Sequence, residues 1–229
     1  MTRSLSVALV DIDGTLLDSN YHHTLAWSRG FAEVGHDVPL WRIHRHMGMG
    51  GDRLVAAVAG EEVEEHHGDA VRARWEKEFD AMLAETRLFH AARDLLDALA
   101  ARHVEVVLAS SGKPKHAQHA LELLDADRRA TAWTTSEDAD RTKPHPELFE
   151  TALEKVGAEP GDALVIGDAT WDVEAASRLG IPAVALLCGG FGREDLAGVW
   201  ATYDDPSDLI DHLDEVLRLA GQDAHTPPG

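Results

Sequence analysis

The chain has 229 residues, 44% hydrophobic and 27% charged, a balance that allows a sizeable buried core. Its formal charge of −20 leaves no basic excess to neutralise phosphates, which argues against nucleic-acid and anionic-membrane partners. A single cysteine, Cys188, excludes an internal disulfide framework and a multi-cysteine zinc site, and no apolar run approaches the length of a membrane span.

In chain order, the stretch "LSVALVD" (5–11) reads as a buried strand. It is too short for a signal sequence and runs into acid rather than a cleavage site, so a cytoplasmic address is expected. The strand ends in "DIDGT". Residues two apart on an extended segment point to the same side, so Asp11 and Asp13 can converge, and Gly14 permits a turn and a close backbone approach. Taken alone, this is equally an acidic turn, since Asp-Gly is a common turn pair.

From 18 to 87 the apolar periodicity is helical, with Trp27, Phe31 and Val34, then Leu54, Val55 and Val58, then Trp75, Phe79 and Met82. No convincing strand interrupts it. Within this stretch "WRIHRHMGMGGDRL" (41–54) clusters Arg42, His44, Arg45, His46 and Arg53 around Gly48, Gly50 and Gly51. Arg45, Gly48, Gly50 and Arg53 are taken as candidate contacts for an anionic or hydroxylated substrate. The competing reading is a solvated helix end and a helix-to-helix turn.

Strands then alternate with helices: "HVEVVLAS" (103–110), "TAWTT" (131–135), "DALVIGD" (162–168), "IPAVALL" (181–187) and "GVWATY" (198–203). Pro114 and Pro146 suit first-turn positions, and Gly157 and Gly180 suit helix stops. A last helix is expected over 207–219, and "GQDAHTPPG" is expected to be disordered. The alternation predicts an α/β fold: a Rossmann-like parallel sheet core with helices on both faces, plus an inserted all-helical cap domain. The boundaries expected are 1–17 and 88–221 for the core, 18–87 for the cap and 222–229 for the tail. Ligands of such sheets bind beyond the carboxyl ends of the strands. Those ends carry Asp11, the hydroxyls Ser110 and Ser111, and Asp168 with Asp172 four residues on. Lys143, in "RTKPHPELF", precedes a helix. Each has a bland alternative, such as an Asp capping a helix.

Together, "DIDGT", "LASS", "TKP" and "GDATWD", in this order, resemble the haloacid dehalogenase-like superfamily of phosphohydrolases. The resemblance covers nearly the whole chain and is nearest to the phosphoglycolate phosphatase and beta-phosphoglucomutase-like branch, with the insertion where that superfamily carries its helical cap. It implies that Asp11 attacks phosphorus to form an aspartyl-phosphate and that Asp13 serves as acid and then base. It implies magnesium held by Asp11, the carbonyl of Asp13, and Asp168, with Asp172 orienting the metal's shell. Ser110 would donate to the phosphoryl group, Ser111 would assist, Lys143 would offset negative charge, and Gly14 and Thr15 would admit the phosphoryl oxygens. His23 matches a histidine near the active site in part of the branch; helix packing is its alternative role. The chain departs from the family at "RLFHAARDLL", where His90-Ala91 stands in place of a common Pro-Gly.

The expected activity is magnesium-dependent hydrolysis of a small phosphorylated metabolite by a monomer. A phosphosugar mutase on the same scaffold is the alternative, and a non-catalytic phosphate-binding or interaction protein is a third reading. Dehalogenation would need neither Asp13 nor the downstream acids. Hydrolysis through a cap lysine finds only Lys77 in the insertion, outside its Gly-rich loop.

Overall fold

A computed structural model describes residues 5–220. The expected tail at 222–229 lies outside the described residues. Six strands form one parallel sheet: β1 (Val7–Val10), β4 (Glu105–Ala109), β5 (Ala132–Thr134), β6 (Ala163–Gly167), β7 (Ala183–Leu186) and β8 (Ala201–Tyr203), in the order β5-β4-β1-β6-β7-β8. The short β2 (Leu17–Asp18) and β3 (Arg87–Leu88) pair antiparallel outside that sheet.

The sheet is covered on both faces because its strands are apolar on both sides. Ala8 and Val10 of β1 join Val106, Leu108 and Ile166 against α5 (Ala92–Ala101), α6 (Pro114–Leu124) and α10 (Pro206–Ala220). Val7 and Leu9 point the other way, joining Val107 and Val165 against α8 (Glu147–Val156) and α9 (Thr170–Leu179). A single turn, α7 (Ala126–Arg129), leads into β5. Gly157 and Gly180 close α8 and α9 in the left-handed conformation, as their positions predict. All six strands are shorter than the runs that announce them, and β5 and β8 are the shortest, with three residues each. Both lie at the sheet edges, where one side has no ladder to extend them.

Between β2 and β3 stand α1 (Asn20–Glu33), α2 (Leu40–His44), α3 (Gly51–Ala59) and α4 (Glu61–Met82). They enclose their own apolar cluster, centred on Trp27, Phe31, Ile43, Leu54, Val71 and Phe79. The helical reading of 18–87 thus describes the middle of the segment, while its two ends form the β2–β3 pair. Two-residue strands are too short to show alternation, which is why no pattern announced them. No helix among the described residues is long and apolar enough to cross a membrane.

Candidate active site

β1 lies between β4 and β6, with Val10 level with Leu108 on one side and Ile166 on the other. The chain runs outward from β1 through β4 to β5, then returns to β6, so the topological switch falls beside β1. Asp11, Ser110 and Asp168 follow the three central strands and are each at least 96% buried. Lys143 arrives from the loop before α8 and is 1% exposed. Its ammonium donates to Asp11 Oδ1 and to the Ala109 carbonyl at 3.0 Å, and lies 2.7 Å from Asp172 Oδ1.

Asp168 is held by two donors: the Thr15 hydroxyl to Oδ1 at 3.0 Å and the Asn20 amide to Oδ2 at 2.8 Å. Asp13 receives a hydrogen bond from Ser19 Oγ at 2.5 Å, and the His23 ring lies 3.5 Å from the same oxygen. Gly14 lies between these groups at φ +84°, and a Cβ there would sit 2.4 Å from Asp168 Oδ2, so no side chain fits.

The electrostatics are unbalanced. Burial pushes the Asp11 carboxyl up to about 7, although Lys143 opposes the shift. Burial, with Asp11 and Asp172 nearby, raises Asp168 well above the usual carboxylate range. Burial would raise Asp13 too, but the His23 ring and the Ser19 hydroxyl hold it below its ordinary value. Burial disfavours the Lys143 charge, and the two carboxylates more than offset that and raise it. Oxygens of Asp11, Asp168 and Asp172 lie within 4.8 Å of one another. Three buried carboxylates against one ammonium form an all-oxygen donor set in charge deficit, which fits a hard divalent cation. Asp13's carboxylate is not one of the three.

Above this cluster opens a cavity of about 480 Å³, bounded by the helical insertion and by the loops after β4 and β5. Asp11, Asp13, His23, Gly48 and Ser111 line it. Ser111 Oγ is buried and has no partner among the described residues. Ser110 Oγ accepts from the Gly112 amide at 3.0 Å and keeps its own proton free to donate.

A family model described as haloacid dehalogenase-like hydrolase matches residues 5–180. The chain belongs to the haloacid dehalogenase-like hydrolases. Within that family it is similar to validoxylamine A 7'-phosphate phosphatase of Streptomyces hygroscopicus subsp. limoneus, at 31% identity over 192 residues, covering 79% of this chain and 84% of the relative. Phosphoglycolate phosphatase 1 of Pseudomonas aeruginosa is 29% identical over 232 residues, covering 97% and 82%. The crystal structure of a hydrolase from Pseudomonas syringae superimposes with a TM-score of 0.87 at 32% identity, over 92% of this chain and 99% of that one. These relatives place it among the phosphatases of the family.

In this hydrolase, not every residue singled out from sequence reaches the cavity. Arg45 is exposed, with its guanidinium 5.8 Å over the Trp41 ring, and Arg53 is exposed; neither lines the cavity. The cause is helical phase. α3 buries Leu54, Val55 and Val58, and this turns Arg53 outward. Gly50 also lies outside the lining, and it serves a contact: a Cβ there would meet Thr142 Oγ1 at 1.7 Å. Gly48 does line the cavity, at φ +83°, with room against Ala169 for no Cβ. The arginine of the insertion that does line the cavity, beside His23, is Arg72 of α4.

Sequence reasoning missed Ser19 and Asn20. In "DSN" they look like ordinary helix-start residues, and Ser19 does precede α1. Yet neither side chain caps that helix: Ser19 turns to Asp13 and Asn20 to Asp168. Two amide or hydroxyl side chains at a helix start, buried and facing an acidic motif, are the available signal.

Proposed function

We propose that this phosphatase is a magnesium-dependent hydrolase of small phosphate monoesters, working through an aspartyl-phosphate on Asp11. The observation that carries the reading is one arrangement: Asp11 and Asp13 at the floor of a cavity, Lys143 and Asp168 against Asp11, and an unpartnered Ser111 hydroxyl in the wall.

Asp11 is placed to attack phosphorus, with Lys143 holding one of its oxygens and aiming the other. Ser111 and Ser110 supply hydroxyl protons to the phosphoryl oxygens, and Lys143 offsets the charge of nucleophile and ester together. Asp13 hands a proton to the leaving oxygen and then takes one from the water that hydrolyses the acyl-phosphate. In the resting site His23 and Ser19 favour its carboxylate form; an anionic ester arriving beside it shifts the balance toward the acid. Asp11, Asp168 and Asp172 would hold magnesium, which supplies charge neutralisation and polarisation of the phosphoryl group when bound. Helices α1–α4 act as a cap over this floor and choose the leaving group.

The test is inorganic phosphate release from p-nitrophenyl phosphate and a panel of metabolite monoesters, with and without magnesium. Release should fall at least about a hundredfold in Asp11→Asn and on chelation. Undiminished release in that variant would refute Asp11 as the nucleophile. Isomerisation of a hexose 1-phosphate with little phosphate release would instead establish the mutase.

A further inference from the structure

The cavity wall opposite the carboxylates has its own chemistry, and it bears on the leaving group. Trp27, Met47, Leu54 and Trp75 make it apolar and aromatic. Trp27 and Trp75 stack with centroids 4.7 Å apart, a rigid surface. Trp75 is 7% exposed, and its indole N–H is buried without an acceptor among the described residues. A buried indole N–H normally finds a partner; here the N–H is covered as the site stands, so an acceptor brought by a ligand reaches it only when the Trp75 side chain shifts.

The charges of the lining point the same way. Four carboxylates line the cavity, Asp11 and Asp13 at the floor and Asp52 and Asp140 at the rim. Two cations line it, and both are committed elsewhere. Arg72 donates to Glu64 and Asp69 at 2.9 Å each, and Lys113 to Glu76 at 2.6 Å, none of which belongs to the lining. Asp52 accepts from Thr142 Oγ1 and, like Asp140, carries no ion pair among the described residues. Among the described residues, the lining thus has more carboxylates than lysines and arginines, and both of those cations already have a carboxylate partner. The volume, about 480 Å³, is far more than a two-carbon leaving group fills beside its phosphate.

Resting on the hydrolase reading above, we infer that the leaving group is a hydroxylated ring carrying no negative charge besides the phosphate, seated against Trp27 and Trp75 with a hydroxyl accepting from Trp75 Nε1. Esters with a second anionic group meet Asp52 and Asp140 and are discriminated against.

The test measures kcat/KM for glucose 6-phosphate, 2-phosphoglycolate, fructose 1,6-bisphosphate and phenyl phosphate, the last a ring without hydroxyls. Glucose 6-phosphate should exceed 2-phosphoglycolate and the bisphosphate by at least about tenfold. Trp75→Phe, which keeps the aromatic ring and removes the N–H, should raise KM for glucose 6-phosphate at least about threefold relative to phenyl phosphate. Asp52→Asn with Asp140→Asn should narrow the preference against 2-phosphoglycolate by a similar factor. A parallel titration follows tryptophan fluorescence of the Asp11→Asn protein with the same four ligands and ranks them without turnover. Binding or turnover of 2-phosphoglycolate equal to or better than that of glucose 6-phosphate overturns the inference and leaves the hydrolase reading standing. No release from any ester, with glucose 6-phosphate still bound preferentially, sinks the hydrolase reading and supports the ring-binding wall.

Discussion

Lys143 is the residue on which the site's charge balance turns. It is buried and sits against two carboxylates, so removing it leaves Asp11 and Asp172 without their cation. Breaking a buried ion pair from one side costs about 3–5 kcal/mol. Lys143→Met should therefore lower stability by a few kcal/mol in urea melts and reduce phosphate release at least about a hundredfold. Ala91 offers the opposite kind of change. It precedes α5 at φ +59°, where a Cβ is strained, at the point where the family often has glycine. Relief of about 1–2 kcal/mol, less about 0.5–1 kcal/mol of added chain entropy, leaves Ala91→Gly slightly stabilising. Its melting temperature should rise by about 1–3 °C; an unchanged or lower value would show that the strain is absorbed.

At the scale of elements, the informative contact runs between α4 and the start of α6. Glu76 and Asp80 face Lys113, Lys115 and His116, with the His116 ring 2.9 Å from Asp80 and Lys115 Nζ 2.6 Å from it. Burial lowers the His116 pKa below 6.5, although Asp80 opposes the shift. The unfolded ring therefore takes up a proton as pH falls through 6.5 while the folded ring still resists, and the stability it contributes above that pH is lost as pH falls toward the folded pKa. Asp11 and Asp168, whose folded pKa values are raised, act in the opposite direction, so a comparison with His116→Asn isolates the ring. Between pH 7 and 5.5 the wild type should lose more stability than the variant in denaturant titrations. Parallel curves would show that His116 does not titrate in this contact.

The whole molecule carries a formal charge of −20, and its substrate is an anion. Encounter is then opposed by the protein's own field, which reaches about 30 Å at 0.01 M salt and about 8 Å at 0.15 M. At saturating magnesium, kcat/KM for a dianionic monoester should rise about twofold or more over that range, the reverse of an electrostatically steered enzyme. A fall would mean that a local positive potential at the cavity outweighs the net charge. The insertion is also a whole-molecule feature: the cavity has one wall from α1–α4 and one from the loops after β4 and β5, so neither part forms it alone.

The parallel sheet, its helices and the residues at the strand ends were legible in the sequence, because buried strands read as continuous apolar runs and charge at their ends stands out against them. Asp11, Asp13 and Asp168 are conspicuous for that reason; Lys143, in a loop ahead of a helix, stands out only as part of the ordered set of four motifs. The edges of the pattern were not legible: β2 and β3 are too short for periodicity, and their pairing joins residues about seventy positions apart. The same limit governs the cavity wall. Arg45 and Arg53 are prominent by charge yet face solvent, while Trp75, read only as part of an apolar helical stripe, and Arg72, not singled out at all, line the cavity. Which side of an inserted helix meets the site depends on how four helices pack on one another and on the core. That is a long-range property, set by tertiary structure alone.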